Sequence, residues 1–430
     1  MYKIKIKEYT SDGGEVLLKF KKIICLVLIL IFPINFVSCK KENKNNNNNK
    51  ELNMYVDVKD KGSLDILKII MDEYKKSNED VKININNALG SSVEEELKKD
   101  KSPDLILVSR NEMIKLSQKG LLDNMQTSYE KNNITKDYYN VFNSYGRFKD
   151  KYYGLPIMPY TIEVLYNTEA LSRLKIDEPK DINDVKNIMK KLKSSSVKIP
   201  VMLTNDLDIN LVMFSVIANN ISNSMELENI YDKGKKEYEN LKNMQEPFDI
   251  INDMVKDNIL DKNSFEEGKE VTLEKFENGD IPIIISTSYY NNKIKSPNIK
   301  SIKQLYNVGK ANNTEPVIVN SIICLPLKSK NAEEATNFVN FTFNEKTQKE
   351  LLKKGFVTGN KKINKEKSGE LTNLNNNTME KLSNLNENSI LVLYNLPDTL
   401  KSTISTSIDR ILNNEYTGKE WNKVVEDNFK

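Results

Sequence analysis

Histidine is absent from all 430 residues. That excludes the ordinary proton shuttle of neutral pH, histidine-based catalytic triads and histidine-ligated metal centres. Cysteine is scarce. Cys25 lies in an apolar leader, Cys39 closes that leader, and Cys324 stands alone in the run from Ser321 to Leu327, so the mature chain has no intramolecular disulfide. Arginine occurs only at 110, 147, 173 and 410, and tryptophan only at 421. The formal charge is +3, but the first 38 residues hold six lysines against three acids, so the chain beyond Ser38 is formally neutral. A basic nucleic-acid footprint is therefore missing, and no nucleic-acid partner is expected. Nothing in the chain forms a recognisable cofactor or metal set.

What is present begins with a leader. Lys21 and Lys22 precede fifteen mainly apolar residues, Ile23 to Val37, interrupted by Pro33 and Asn35. This run is short for a membrane span but suits the core of a secretory signal. Residues 1–38 are read as that signal. Gly13-Gly14-Glu15 reads as a translated ribosome-binding run, which puts the expected start of translation near Val16 to Leu18. The stretch Phe36-Val37-Ser38-Cys39 resembles the lipobox of bacterial lipoproteins. It implies that Cys39 is lipidated, becomes the mature N-terminus and anchors the protein on the outer face of the cytoplasmic membrane through more than one acyl chain. Residues 39–51, lipidated Cys and the run KKENKNNNNNKE, form a polar, low-complexity tether.

The remaining length calls for two domains, each able to bury its own core. Strand-like runs at 52–58, 81–85 and 104–108 alternate with helical periodicity, the pattern of parallel sheets covered by helices. In DKYYGLPIMPYTIEVLYNTEAL (150–171), Pro156 and Pro159 stiffen an extended passage, 161–166 favours a strand, and Asn167 or Thr168 caps a helix. The run 316–326 reads as a single long return strand. Residues 360–388, rich in Asn and Lys, read as a loose connection with one helix, and 402–430 as two helices divided near Thr417-Gly418. Trp421 is read as packing, and Glu163 as an acid facing outward.

Several of these runs resemble bacterial extracellular solute-binding proteins of the kind that serve sugar ABC importers. The landmarks are PDLILVSRNEMIKLSQKGLLDNM (103–125), YYGLP (152–156), LYNTE (165–169), EPKDI (178–182), LEKFENGD (273–280) and SKNAEEATNFVNF (329–341). The resemblance implies an α/β, two-lobe periplasmic-binding-protein-like fold (type II), with mostly parallel sheets flanked by helices and a hinge between lobes. Lobe 1 would comprise 52–158 plus 319–368; lobe 2, with the C-terminal helices, would comprise 159–318 plus 369–430. It further implies ligand contacts at strand ends, for which Asp60, Lys61, Arg110, Asn111, Tyr160, Asn205, Asp206, Tyr289, Tyr290 and Asn320 are the candidates.

The function so implied is non-catalytic. A monomeric lipoprotein captures a small solute, a sugar or oligosaccharide, and delivers it to permease subunits in the membrane. A cell-surface glycosidase or an adhesin-type lipoprotein is the alternative, although no acid and nucleophile pair stands out for hydrolysis.

Overall fold

The computed structural model describes residues 50–87, 91–306 and 314–429. The signal, Cys39 and most of the tether lie outside the described residues. Lys50 and Glu51, expected to end the tether, instead open the first strand.

Strand β1 (Lys50–Val56) runs into the helix Lys61–Ser77, and β2 (Val81–Asn87) returns parallel to it. The all-buried β3 (Leu105–Val108) adds to the other edge of β1 and is followed by the helix Arg110–Gln118. Gly120 ends that helix at φ 66, a conformation in which a Cβ is costly. A short ribbon, β4 (Arg147–Phe148) and β5 (Lys151–Tyr152), turns through Lys149 and Asp150, both at positive φ as a type I′ hairpin needs.

The chain then passes through β6 (Leu155–Pro156) into β7 (Tyr160–Asn167), whose eight residues are all buried. Asn167 caps the next helix by accepting from the backbone N–H groups of Glu169 and Ala170, the capping expected from the sequence. Further on come β8 (Ile199–Val201), β9 (Phe265–Glu267), β10 (Ile283–Thr287), β11 (Ile299–Ser301), β12 (Val317–Ile318) and β13 (Ile322–Cys324).

Two separate sheets result, in the orders β2-β1-β3-β13-β6 and β11-β7-β10-β8-β9, with β12 also paired to β7. Each is the floor of one lobe of a two-lobed α/β fold. Both sheets are mixed. Pairs such as β1–β2 and β8–β10 are parallel, whereas β13 pairs antiparallel with β3 and β6, and β7 pairs antiparallel with β10, β11 and β12. Parallel ladders come from strands with helical crossovers; the antiparallel pairs involve the strands beside the crossings.

The two sheets exchange chain at residues 157–159 and 319–321. Ile157 N–H donates to the Ser321 carbonyl (3.0 Å), so the two crossings lie side by side. The return run is therefore not the single strand expected for 316–326. It is two pieces, β12 and β13, because each half satisfies its backbone in a different sheet.

Gly154 sits just before β6, where a Cβ would fall 2.3 Å from Ile322 Cγ2 and 2.9 Å from Cys324 Sγ. Gly154→Ala is expected to cost about 1–3 kcal/mol by overpacking this junction. Urea unfolding checks it; an unchanged midpoint would mean that β6 and β13 separate freely.

The region 360–388 is ordered, contrary to the sequence reading. It carries helices Lys361–Glu366 and Asn373–Asn384, and the second packs on β7 and β11. Two of its asparagines fold inward with their amides on carbonyls: Asn364 Nδ2 donates to Thr358 O (2.8 Å) and Asn375 Nδ2 to Gly355 O (2.9 Å). The terminal helices Thr399–Leu412 and Glu420–Asn428 pack on each other, and Trp421 is buried with Nε1 donating to Tyr238 O (2.9 Å), as a packing role requires.

Candidate functional site

The loop after β1 ends at Asp60, which caps the helix Lys61–Ser77. Its Oδ2 accepts from Ser63 N–H (2.7 Å) and Ser63 Oγ (2.9 Å). Tyr160 opens β7 in the other sheet, Asn205 follows β8, and Tyr289 with Tyr290 follows β10. These residues from both lobes converge on one cavity. Its volume is about 20 Å³, room for about one water. The lobes are therefore shut on each other in this conformation, and a solute of several heavy atoms needs them to part.

Gly62 shows how closely they meet: a Cβ there would lie 3.0 Å from the Tyr289 ring, 3.2 Å from the Tyr160 hydroxyl and 3.3 Å from Asp60 Oδ2. The Tyr160 and Tyr289 rings meet edge to face at 5.9 Å, and Tyr289 and Tyr290 do so at 4.9 Å. Hydrogen bonds bridge the mouth. Tyr289 OH donates to Asp65 Oδ2 (2.5 Å) and Asn205 Nδ2 to Lys59 O (3.4 Å), while Lys61 Nζ pairs with Glu270 Oε1 at 2.7 Å. The Lys61–Glu270 pair is exposed on both sides, so it steers closure more than it stabilises it.

A second group adjoins the first. The Tyr394 hydroxyl lies 2.7 Å from Asp206 Oδ2 and 2.6 Å from Asn320 Oδ1, and Thr204 Oγ1 donates to Asp206 Oδ1 (2.8 Å). One phenolic proton thus serves two acceptors. Tyr394 was missed by the sequence reading. It sits on the 3₁₀ turn Val392–Asn395, where neither periodicity nor a motif marks it.

Burial pushes the Asp60 carboxyl above its ordinary pKa, partly offset by the two bonds from Ser63. Burial likewise raises the Tyr160, Tyr289 and Tyr394 phenols. Two buried polar atoms of this region, Tyr160 OH and Thr287 Oγ1, have no hydrogen-bond partner in the protein. Such groups are costly unless something satisfies them, and Tyr160 and Thr287 line the cavity.

Arg110 and Asn111 are not brought to this cavity. Arg110 is wholly buried: Nε donates to Asn395 Oδ1 (2.9 Å), Nη1 to the carbonyls of Ser144, Tyr145 and Arg147 (3.1, 2.6 and 2.8 Å), and Nη2 to Glu228 Oε1 (2.7 Å). Asn111 Nδ2 donates to Leu396 O (2.6 Å). The end of β3 was expected to face the cleft, but residues 392–396 cover it. Among the described residues no group of three or more Cys, Asp or Glu is placed to hold a metal ion, and no helix is long and apolar enough to cross a membrane.

Two sheets joined by side-by-side crossings, with polar and aromatic groups from both lobes meeting between them, define a two-lobed binding protein. The chain belongs to the bacterial extracellular solute-binding proteins, whose family profile matches residues 62–349; the family works outside the cytoplasm. Solved structures share the fold. The GacH receptor of Streptomyces glaucescens is 12% identical, with 88% of this chain and 97% of that one covered and a TM-score of 0.62. The sugar-binding protein MalE of Xanthomonas citri is 12% identical, with 88% and 96% covered and a TM-score of 0.64. A family 1 extracellular solute-binding protein of Bifidobacterium longum subsp. infantis is 12% identical, with 88% and 98% covered and a TM-score of 0.64. No curated protein matches this chain by sequence.

Proposed function

We propose that this chain is the substrate-binding lipoprotein of an ABC importer, holding a sugar or oligosaccharide between its lobes and passing it to permease subunits. The observation that carries the reading is the convergence of Asp60, Tyr160, Asn205 and Tyr289, drawn from both sheets, on one small cavity. Carboxylate and amide groups suit sugar hydroxyls, and tyrosine rings suit their C–H faces. The structures named above supply the same direction: the GacH receptor was solved with acarbose, and MalE is described as a sugar-binding protein. Ligand binding would shift the lobes between a parted and a shut arrangement, the shut one presenting both lobes to the permease. The chain catalyses nothing in this scheme and acts as a monomer. Cys39 and the polar run after it would tether the lobes to the membrane.

Thermal unfolding of the purified chain against a panel of mono- and oligosaccharides tests the proposal. A binder should raise the transition in proportion to the logarithm of its concentration; no shift with any sugar would overturn it. Tyr160→Phe sharpens the test. Its hydroxyl has no protein partner, so removing it should leave stability unchanged or slightly raised. Affinity for a sugar found in the panel should fall roughly tenfold, the worth of one hydrogen bond in a closed site. Titration calorimetry on both forms reads this directly, and equal affinities would remove Tyr160 from the ligand contacts.

A further inference from the structure

The charges around the cavity are unequal. Asp60 is buried at the cavity, and Asp206 stands exposed beside the lining residues Thr204 and Asn205, its oxygens accepting from Thr204 Oγ1 (2.8 Å) and Tyr394 OH (2.7 Å); among the described residues neither acid has a lysine or arginine within ion-pair distance. Lys61, the residue next to Asp60, also lines the cavity, but its Nζ is taken up by Glu270 at 2.7 Å. Lys293 stands over the Tyr289 and Tyr290 rings at 5.1 and 5.3 Å, with Glu270 4.0 Å away, and Tyr289 is bonded to a fourth acid, Asp65. Lys401 stands over the Tyr394 ring at 4.9 Å and pairs with Asp398 at 2.7 Å, so the facing charged groups are five carboxylates, Asp60, Asp65, Asp206, Glu270 and Asp398, against three lysines, Lys61, Lys293 and Lys401. Each of the three lysines is already engaged by Glu270 or Asp398.

This matters because the lobes close to a cavity of about 20 Å³, and closure strips water from Asp60. A neutral ligand leaves that carboxylate without a counter-charge in a poorly solvating place, whereas a cationic one supplies it. The unpartnered Tyr160 hydroxyl and Thr287 Oγ1 are further acceptors aimed into the same space, and the edge-to-face tyrosines offer electron-rich faces of the kind that attract ammonium groups.

We infer that the solute held between the lobes carries a protonated amine that meets Asp60 and Asp206, so that, within the sugar-binding reading, the substrate class is an amino sugar. The inference rests on that reading for the sugar part alone; the amine part stands on the charges.

Calorimetry of the full chain purified in detergent, buffered below the amine pKa, tests both parts with four probes: glucosamine, N-acetylglucosamine, glucose and spermidine. The expected result is that glucosamine binds at least about tenfold more tightly than its N-acetylated and neutral counterparts, the effect of one desolvated charge pair. Asp60→Asn and Asp206→Asn should each shrink that ratio, with circular dichroism confirming the fold. The wild-type comparison of the amine with its N-acetyl form decides the matter even where a variant fails to fold. Equal or tighter binding of the neutral sugars overturns the inference and leaves the sugar-binding reading intact. Binding of spermidine with no sugar bound supports the amine and overturns the sugar. Binding of none of the four overturns both.

Discussion

Lys381→Met is expected to lower the unfolding free energy by about 3–5 kcal/mol, the usual consequence of leaving a buried partner charge alone. Lys381 reaches in from the helix Asn373–Asn384 and pairs with Glu163 of β7 at 2.9 Å, with Glu315 at 3.9 Å; their side chains are 2%, 1% and 4% exposed. Glu163 also accepts from Thr161 Oγ1 (2.5 Å), Thr378 Oγ1 (3.3 Å) and Ser301 Oγ. The hydroxyls would remain in the variant, but the only cation among the described residues that pairs with these two acids would be gone. Urea unfolding reads the loss, and an unchanged midpoint would sink the assignment. Replacing Glu163 by Gln together with Lys381 by Met should recover part of the loss, since removing both charges leaves less uncompensated burial.

The same triad predicts a pH dependence. Burial holds the Glu315 carboxyl above its ordinary pKa, and Lys381 pulls it back down. An acid whose folded pKa is raised binds its proton more tightly in the folded state. The folded state is therefore favoured as pH falls through the folded value towards the unfolded one, and loses that benefit as pH rises. Without Lys381 the folded value rises further. The Lys381→Met deficit should accordingly shrink on acidification, read as urea midpoints compared at neutral and mildly acid pH.

How legible this was depends on the element. The helix cap at Asn167 follows from local hydrogen bonding and is found as expected; the cap at Asp181, accepting from Asn183 and Asp184 N–H, follows the same rule. The cavity-lining part of the site, Asp60, Lys61, Tyr160, Asn205, Tyr289 and Tyr290, was legible because strand ends collect on one edge of a sheet. Glu163 was not. A strand buried on both faces has no outward side, so alternation fails, and its lysine partner lies more than two hundred residues away in a run that composition marks as loose. Tyr394 escaped for the same reason: its neighbours Asp206 and Asn320 are set by tertiary contact alone.

Arg110→Ala is expected to cost a similar amount, about 3–5 kcal/mol, and to do so without a contact to the cavity being touched. The guanidinium ties the helix after β3 to three carbonyls at residues 144–147, to Asn395 and to Glu228, so its loss orphans a buried carboxylate together with several acceptors. Burial already presses the Glu228 carboxyl upward, with Arg110 and Arg147 opposing that rise, so the variant should leave Glu228 protonated over a wider pH range. Arg110→Lys separates charge from geometry. A lysine keeps the positive charge but cannot spread donors over Nε, Nη1 and Nη2, and most of the loss should persist. If Arg110→Lys unfolds at the wild-type urea concentration, the fork is not what holds these segments together. The rare arginine at this strand end would then return as a candidate for contact with solute in a parted arrangement of the lobes.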